Sequence, residues 1–111
     1  MKTNKKIAKK TFQHGDVLGV KLSEMPSGEQ KIISKYHCVL AEGEFSGHAH
    51  VVDDDEAELI EVGGKMLLTL QKSATLKHQE HKPITLEAGI WQIGRVNEYD
   101  YFNKMVKKVQ D

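Results

Sequence analysis

The chain predicts an all-β fold: a small barrel or sandwich of short antiparallel strands with a C-terminal helix or tail. Three observations predict it. Apolar or alternating runs of four to ten residues recur between turn signals such as Pro26-Ser27-Gly28 and Glu87-Ala88-Gly89. Gly63-Gly64 stands between two such runs, and paired glycines can both take the positive φ of a tight hairpin. Residues 31–40 are rich in β-branched and aromatic side chains, which fit a pleated strand better than a helix.

Taken in order, residues 1–10 hold five lysines and no acid. They read as a disordered basic tail, leaving 11–111 as a single β domain. Residues 11–20 contain the first strand, with His14-Gly15-Asp16 as a turn or bulge entering Val17-Leu18-Gly19-Val20. Residues 25–29 form a turn, and 31–40 the next strand, so these two strands are expected to make the first hairpin. Residues 41–47, with two glycines and two acids, are loop chemistry. Residues 48–52 are extended. Asp53-Asp54-Asp55 is expected to stop them, because adjacent carboxylates repel and prefer water. Residues 56–62 and 65–70 alternate on either side of the glycine pair, with Met66, Leu68 and Leu70 turned inward. Residues 74–77 are a short strand and 78–83 a polar corner, in which Pro83 removes a ladder donor. Residues 84–86 and 90–96 are extended around a turn at 87–89. In 100–109, Tyr101, Phe102, Met105, Val106 and Val109 recur at helical spacing beside three lysines, with Asp100 as the cap.

Composition bounds the function. Charges balance overall, so removing the lysine-rich start leaves an acidic body that repels phosphates, and nucleic acid is not the expected partner. No stretch has the apolar length of a membrane span, and no apolar run follows the first lysines as in a signal peptide. The single Cys38 allows no internal disulfide and reads as a small core residue. Together these suggest a cytoplasmic protein.

Four of the six histidines fall in two short segments, Gly47-His48-Ala49-His50 and His78-Gln79-Glu80-His81. Residues two apart on a strand share a face, so His48 and His50 present two imidazoles together. Imidazole suits zinc, iron and nickel, and two rings need a further ligand to make a firm site. His78 and His81, three apart, face one pocket only if the chain bends between them. The expected site is therefore a divalent metal held by His48, His50, His78 and His81. Glu80 is the candidate general base, metal neighbour or orienting carboxylate. A small-molecule ligand at the ion is compatible with binding alone and with catalysis. The contrasting expectation is a non-enzymatic interaction module. In it the apolar stripe of 100–109 docks on a partner or a second copy, giving a homo-oligomer.

From Gly43 to Gly63 the sequence GEFSGHAHVVDDDEAELIEVG resembles the first motif of the cupin family: a glycine, then His-x-His, a glutamate and a turn glycine. The spacings differ by a residue or so before His48 and before Glu56. Around Gly89 the second motif keeps its glycine but lacks its proline, and Gln92 stands where the family has a histidine. The resemblance implies a small β-barrel with a metal held by His48, His50 and Glu56, with His78 or His81 standing in for the missing ligand. The paired histidine segments are also similar to small uncharacterised bacterial and phage-associated proteins, a likeness that implies no function.

Overall fold

The computed structural model of the chain describes residues 6–42 and 47–95. They form nine strands in one sheet and, among the described residues, no helix. The strands are β1 (Lys6–Ala8), β2 (Thr11–His14), β3 (Val17–Leu22), β4 (Gln30–Glu42), β5 (Ala49–Val62), β6 (Lys65–Leu70), β7 (Ala74–His78), β8 (His81–Leu86) and β9 (Gly89–Arg95). The sheet order is β1-β8-β7-β5-β6-β9-β3-β2, with β4 on β5, and the sheet is a nearly closed barrel. The all-β expectation holds. The helix expected over 100–109 lies outside the described residues.

Register explains the closure. β6 pairs with the second half of β5, from Val62↔Lys65 to Ala57↔Leu70, and β7 with the first half, at Val52↔Leu76 and Val51↔Lys77. β9 lies on β6 and β8 on β7, with Leu70↔Gly89 and Ala74↔Leu86 on either side of a gap. Residues 65–78 and 81–95 are thus one long hairpin, interrupted in both arms at the same level. β2 and β3 add to the β9 half, whereas β1 adds in parallel to the β8 half. Only Lys9 and Lys10 separate β1 from β2. Their carbonyl neighbourhood is tied down as well: Glu87 N–H donates to Ala8 O at 3.0 Å, and Lys21 N–H to Lys10 O at 2.8 Å. The chain start thereby joins the two halves and nearly closes the ring.

Inside lies the main core, with Trp91, Leu59, Leu68, Leu76, Leu86 and Val52 buried. Leu67, beside Leu68 on β6, points to the other face. There it meets Ile60 and Val62 under a cover of Leu22, Met25 and Ile90. Met66, Leu68 and Leu70 all pack on the main core, as their alternation predicts. Gly63 (φ 58°) and Gly64 (φ 79°) make the expected tight turn. Cys38 is a free, fully buried core thiol.

Four expectations are corrected. The stretch 1–10 is not wholly a tail, since Lys6–Ala8 pairs with β8. The first hairpin is β2–β3, and β4 pairs with β5 instead. Asp53-Asp54-Asp55 does not stop a strand, because β5 runs straight through it. Partners from neighbouring segments offset the repulsion: Lys72 pairs with Asp54 and Asp55, and the His37 ring on β4 meets Asp53. Finally, β4 and β5 are long, with 13 and 14 residues. β4 follows β5 by three register shifts, with Tyr36, at φ 72°, the residue skipped in the middle one between Lys35 and His37.

Gly19 shows how tightly the β2–β3 hairpin is built. It pairs with Phe12, and a Cβ at Gly19 would fall 1.9 Å from the Phe12 ring, which itself packs on Trp91 with centroids 5.4 Å apart. Gly19→Ala should therefore displace Phe12 and destabilise the domain by about 1–3 kcal/mol, read from the urea midpoint at unchanged m-value.

Candidate metal centre at the barrel rim

Three turns and strand ends meet at one end of the barrel. The β7–β8 turn has only Gln79 and Glu80 between its strands, so His78 and His81 become cross-strand partners. Partners across a hairpin share a face. This is the bend that their spacing of three requires. Gln79 fastens the turn to the start of β5 by accepting the Ala49 N–H at Oε1, 3.0 Å away. His50, the second residue of β5, is buried beside them, with its ring centroid 4.3 Å from His78 and 5.8 Å from His81. One nitrogen from each of His50, His78 and His81 lies within 4.8 Å of the others.

His48 lies at the margin of this group. Its ring centroid is 5.9 Å from His78, and its Nδ1 faces Glu80 Oε2 at 3.0 Å. Glu80 thus touches two of the four expected ligands: its side chain meets His48, and its backbone N–H donates to His78 Nδ1 at 3.0 Å. A metal-bound His78 must either ligate through Nδ1 in place of that amide or release it and ligate through Nε2. Either costs about 1 kcal/mol, small against a metal–ligand bond. Glu56, in the ligand set the resemblance implies, is exposed six residues beyond His50 on β5. It borders a groove with Lys35, Tyr36 and Thr69 that holds no histidine. Gln92 is buried on β9 in register with Val20 and Leu67, its Oε1 without a hydrogen-bond partner, and takes no part in the histidine group. His37 is exposed against Asp53.

Two residues of the rim escaped the sequence reading. His14, at the end of β2, is buried with Nδ1 3.0 Å from His50 Nδ1 and Nε2 2.8 Å from Lys82 O. Asp16 places Oδ1 3.4 Å from His50 Nε2, while its other oxygen accepts from Arg95 at 2.9 Å. The only local signal was the His14-Gly15-Asp16 turn itself, which carries two polar side chains around a glycine. That glycine is required. At φ 63°, a Cβ on Gly15 would sit 2.7 Å from His81 Nε2 and 3.0 Å from His50 Cε1. The backbone of the turn is in effect one wall of the histidine cradle.

The electrostatics follow from crowding. Burial first, and then the repulsion that His78 and His14 would exert on a second imidazolium, push the His50 pKa down to about 4. Burial also lowers His14, against the opposing Lys82 carbonyl, and burial together with His81 lowers His78. The hydrogen bond from Arg95 keeps the Asp16 carboxyl below its usual range. His14, His50 and His78 thus resist protonation beside a carboxylate that gives up its proton readily, and neutral imidazole and ionised carboxylate are the forms that bind cations.

Residues 13–96 match the family model described as Domain of unknown function (DUF8820), a span that includes every rim histidine and Asp16. No curated protein and no solved structure matches the chain.

Two outcomes are expected. Between pH 6.5 and about 4 the unfolded chain holds protons that folded His50 rejects. Stability of the metal-free protein is therefore full above pH 6.5 and falls as pH drops toward 4. The loss is on the order of 1–3 kcal/mol and is smaller in His50→Gln, measured by urea unfolding at each pH. Gly15→Ala should cost about 1–3 kcal/mol through strain at positive φ and collision with His81, read the same way.

Proposed function

We propose that this chain, which belongs to the DUF8820 family of domains of unknown function, is a small barrel that binds one divalent cation at its rim through His50, His78 and His81. The observation that carries this reading is the convergence of three imidazole nitrogens within 4.8 Å from two separate parts of the sequence. Ligands of one tetrahedral ion with bonds of about 2.05 Å stand about 3.3 Å apart. Side-chain rotations of about an ångström are then enough to close the group, and such rotations are cheap at His81, which is exposed. Zinc, iron and nickel all suit imidazole donors.

His48 and Glu80 complete the surroundings. His48 stands beside the group with its Nδ1 3.0 Å from Glu80 Oε2, close enough for a change of rotamer to let it join or replace a ligand. Glu80 is the base for any reaction at the ion, since its exposed carboxylate is beside the group and can reach water. A small molecule that reaches the ion would act by displacing its remaining ligand. The likeness to cupins is in keeping with imidazoles at a barrel mouth, with His78 and His81 serving where Gln92 cannot. Among the described residues, no helix is long and apolar enough to cross a membrane, and the buried free thiol of Cys38 suits a reducing cytoplasm.

A second reading, a non-enzymatic interaction module, is favoured by β4. Among the described residues this strand has no partner on its outer edge and exposes Ile32, Ile33 and Tyr36. Light scattering would detect a second copy joined there, and Ile33→Lys should then lower the measured mass.

Untagged protein should take up one zinc per chain by metal analysis. His50→Ala and His81→Ala should each weaken binding by at least about 10-fold, whereas His37→Ala should leave it unchanged. A wild-type chain that gains neither metal nor thermal stability in added zinc would end this reading.

A further inference from the structure

We infer that the Asp16 carboxylate is the fourth ligand of this ion and that His14 is the positioning residue that turns the His50 lone pair toward it. The inference rests on the metal reading above, but a separate observation carries it: the geometry of one line of contacts that ends with a carboxylate oxygen 3.4 Å from a ring nitrogen. Lys82 O meets His14 Nε2 at 2.8 Å, His14 Nδ1 meets His50 Nδ1 at 3.0 Å, and His50 Nε2 meets Asp16 Oδ1 at 3.4 Å.

Both ends of this line only accept. A carbonyl has no proton to give, and neither has an ionised carboxylate. The first two contacts are hydrogen bonds and take the one proton of each neutral imidazole, whereas the third, at 3.4 Å, is longer than a hydrogen bond and is a spacing that two ligands of one ion would have. The Lys82 carbonyl takes the proton on His14 Nε2. His14 Nδ1 is then bare and must accept from His50 Nδ1–H. That leaves the lone pair of His50 Nε2 facing a carboxylate oxygen with nothing between them.

Two things could fill the gap. A third proton would make a full imidazolium of a 97%-buried ring, with His78 and His81 centroids at 4.3 and 5.8 Å. That charge would have to be accommodated largely out of water. A divalent cation meets the same need with better geometry. Two ligands on a tetrahedral ion stand about 3.3 Å apart, and the nitrogen and oxygen here are 3.4 Å apart. Arg95 holds the far oxygen of Asp16 at 2.9 Å, which leaves Oδ1 aimed inward.

The placement gives the ion a task. His50, His78 and His81 belong to β5, β7 and β8, whereas Asp16 belongs to the β2–β3 turn from the other half of the sheet. An ion bound by all four would staple the two halves across the mouth of the barrel. Four protein ligands mark a structural site, and a reaction would require Asp16 to leave.

The test compares wild type with Asp16→Asn, a change at an exposed turn, by zinc competition against a chromophoric chelator and by the visible spectrum of the cobalt(II) form. Asp16→Asn should bind zinc about 10- to 100-fold more weakly, lose most of the zinc-induced rise in Tm, and alter the cobalt spectrum. In metal-free wild type, nitrogen-15 shifts should place the His50 proton on Nδ1, and His14→Ala should abolish that preference. Equal zinc binding by wild type and Asp16→Asn, or a His50 proton on Nε2, would overturn the inference while leaving a three-histidine site. If wild type takes up no zinc, the inference and the reading beneath it fall together.

Discussion

The structure depends on two breaks in one hairpin falling at the same level. Residues 71–73 interrupt one arm between β6 and β7, and residues 87 and 88 interrupt the other between β8 and β9. A continuous ladder there would keep the sheet flat and leave a row of unpaired groups along each edge. Instead each arm belongs to two halves of the sheet. β5 follows the bend beside them, and β1 and β2 repeat it at the far side through Lys9 and Lys10. Strand closure and rim geometry are therefore one event. The turn that carries Asp16 can approach the turn that carries Glu80 only because the sheet curls back on itself.

That geometry explains why the rim tolerates side chains unfavourable elsewhere. Five imidazoles at close range, two of them buried, contribute little to hydrophobic stability. They also make the folded state resist protonation. Groups so arranged raise the cost of folding in acid and gain nothing from packing that leucine would not provide better. The domain offsets this through its interior, where Trp91 and a set of aliphatic side chains are fully buried. A polar cluster set over an apolar core is the usual division between a scaffold and its site.

The acidic stretch of β5 illustrates the same point in reverse. Asp53, Asp54 and Asp55 look like a strand breaker when taken alone, because their charges are adjacent in sequence. In the sheet, Asp53 and Asp55 are exposed and alternate with Asp54, and each of the three meets a basic group from a neighbouring segment. Charge repulsion between neighbours in sequence is weakened by partners from elsewhere, so a pattern that argues locally for a turn is overruled by the ladder.

Alternation and turn chemistry are local, and so the all-β class, the Gly63-Gly64 hairpin, the inward face of β6 and the core role of Cys38 were readable from the sequence alone. So was the prospect that His50, His78 and His81 could meet, because the polar Gln79-Glu80 pair marked a bend. What the sequence could not determine was which strands pair at a distance. The partnership of β4 with β5, the parallel seat of β1 and the arrival of His14 and Asp16 beside His50 all depend on that. A histidine 36 residues away in sequence gives no periodic signal of its approach. Only the closing of the barrel brings Lys82, His14, His50 and Asp16 into line, and that line is the ground on which a cation is proposed there.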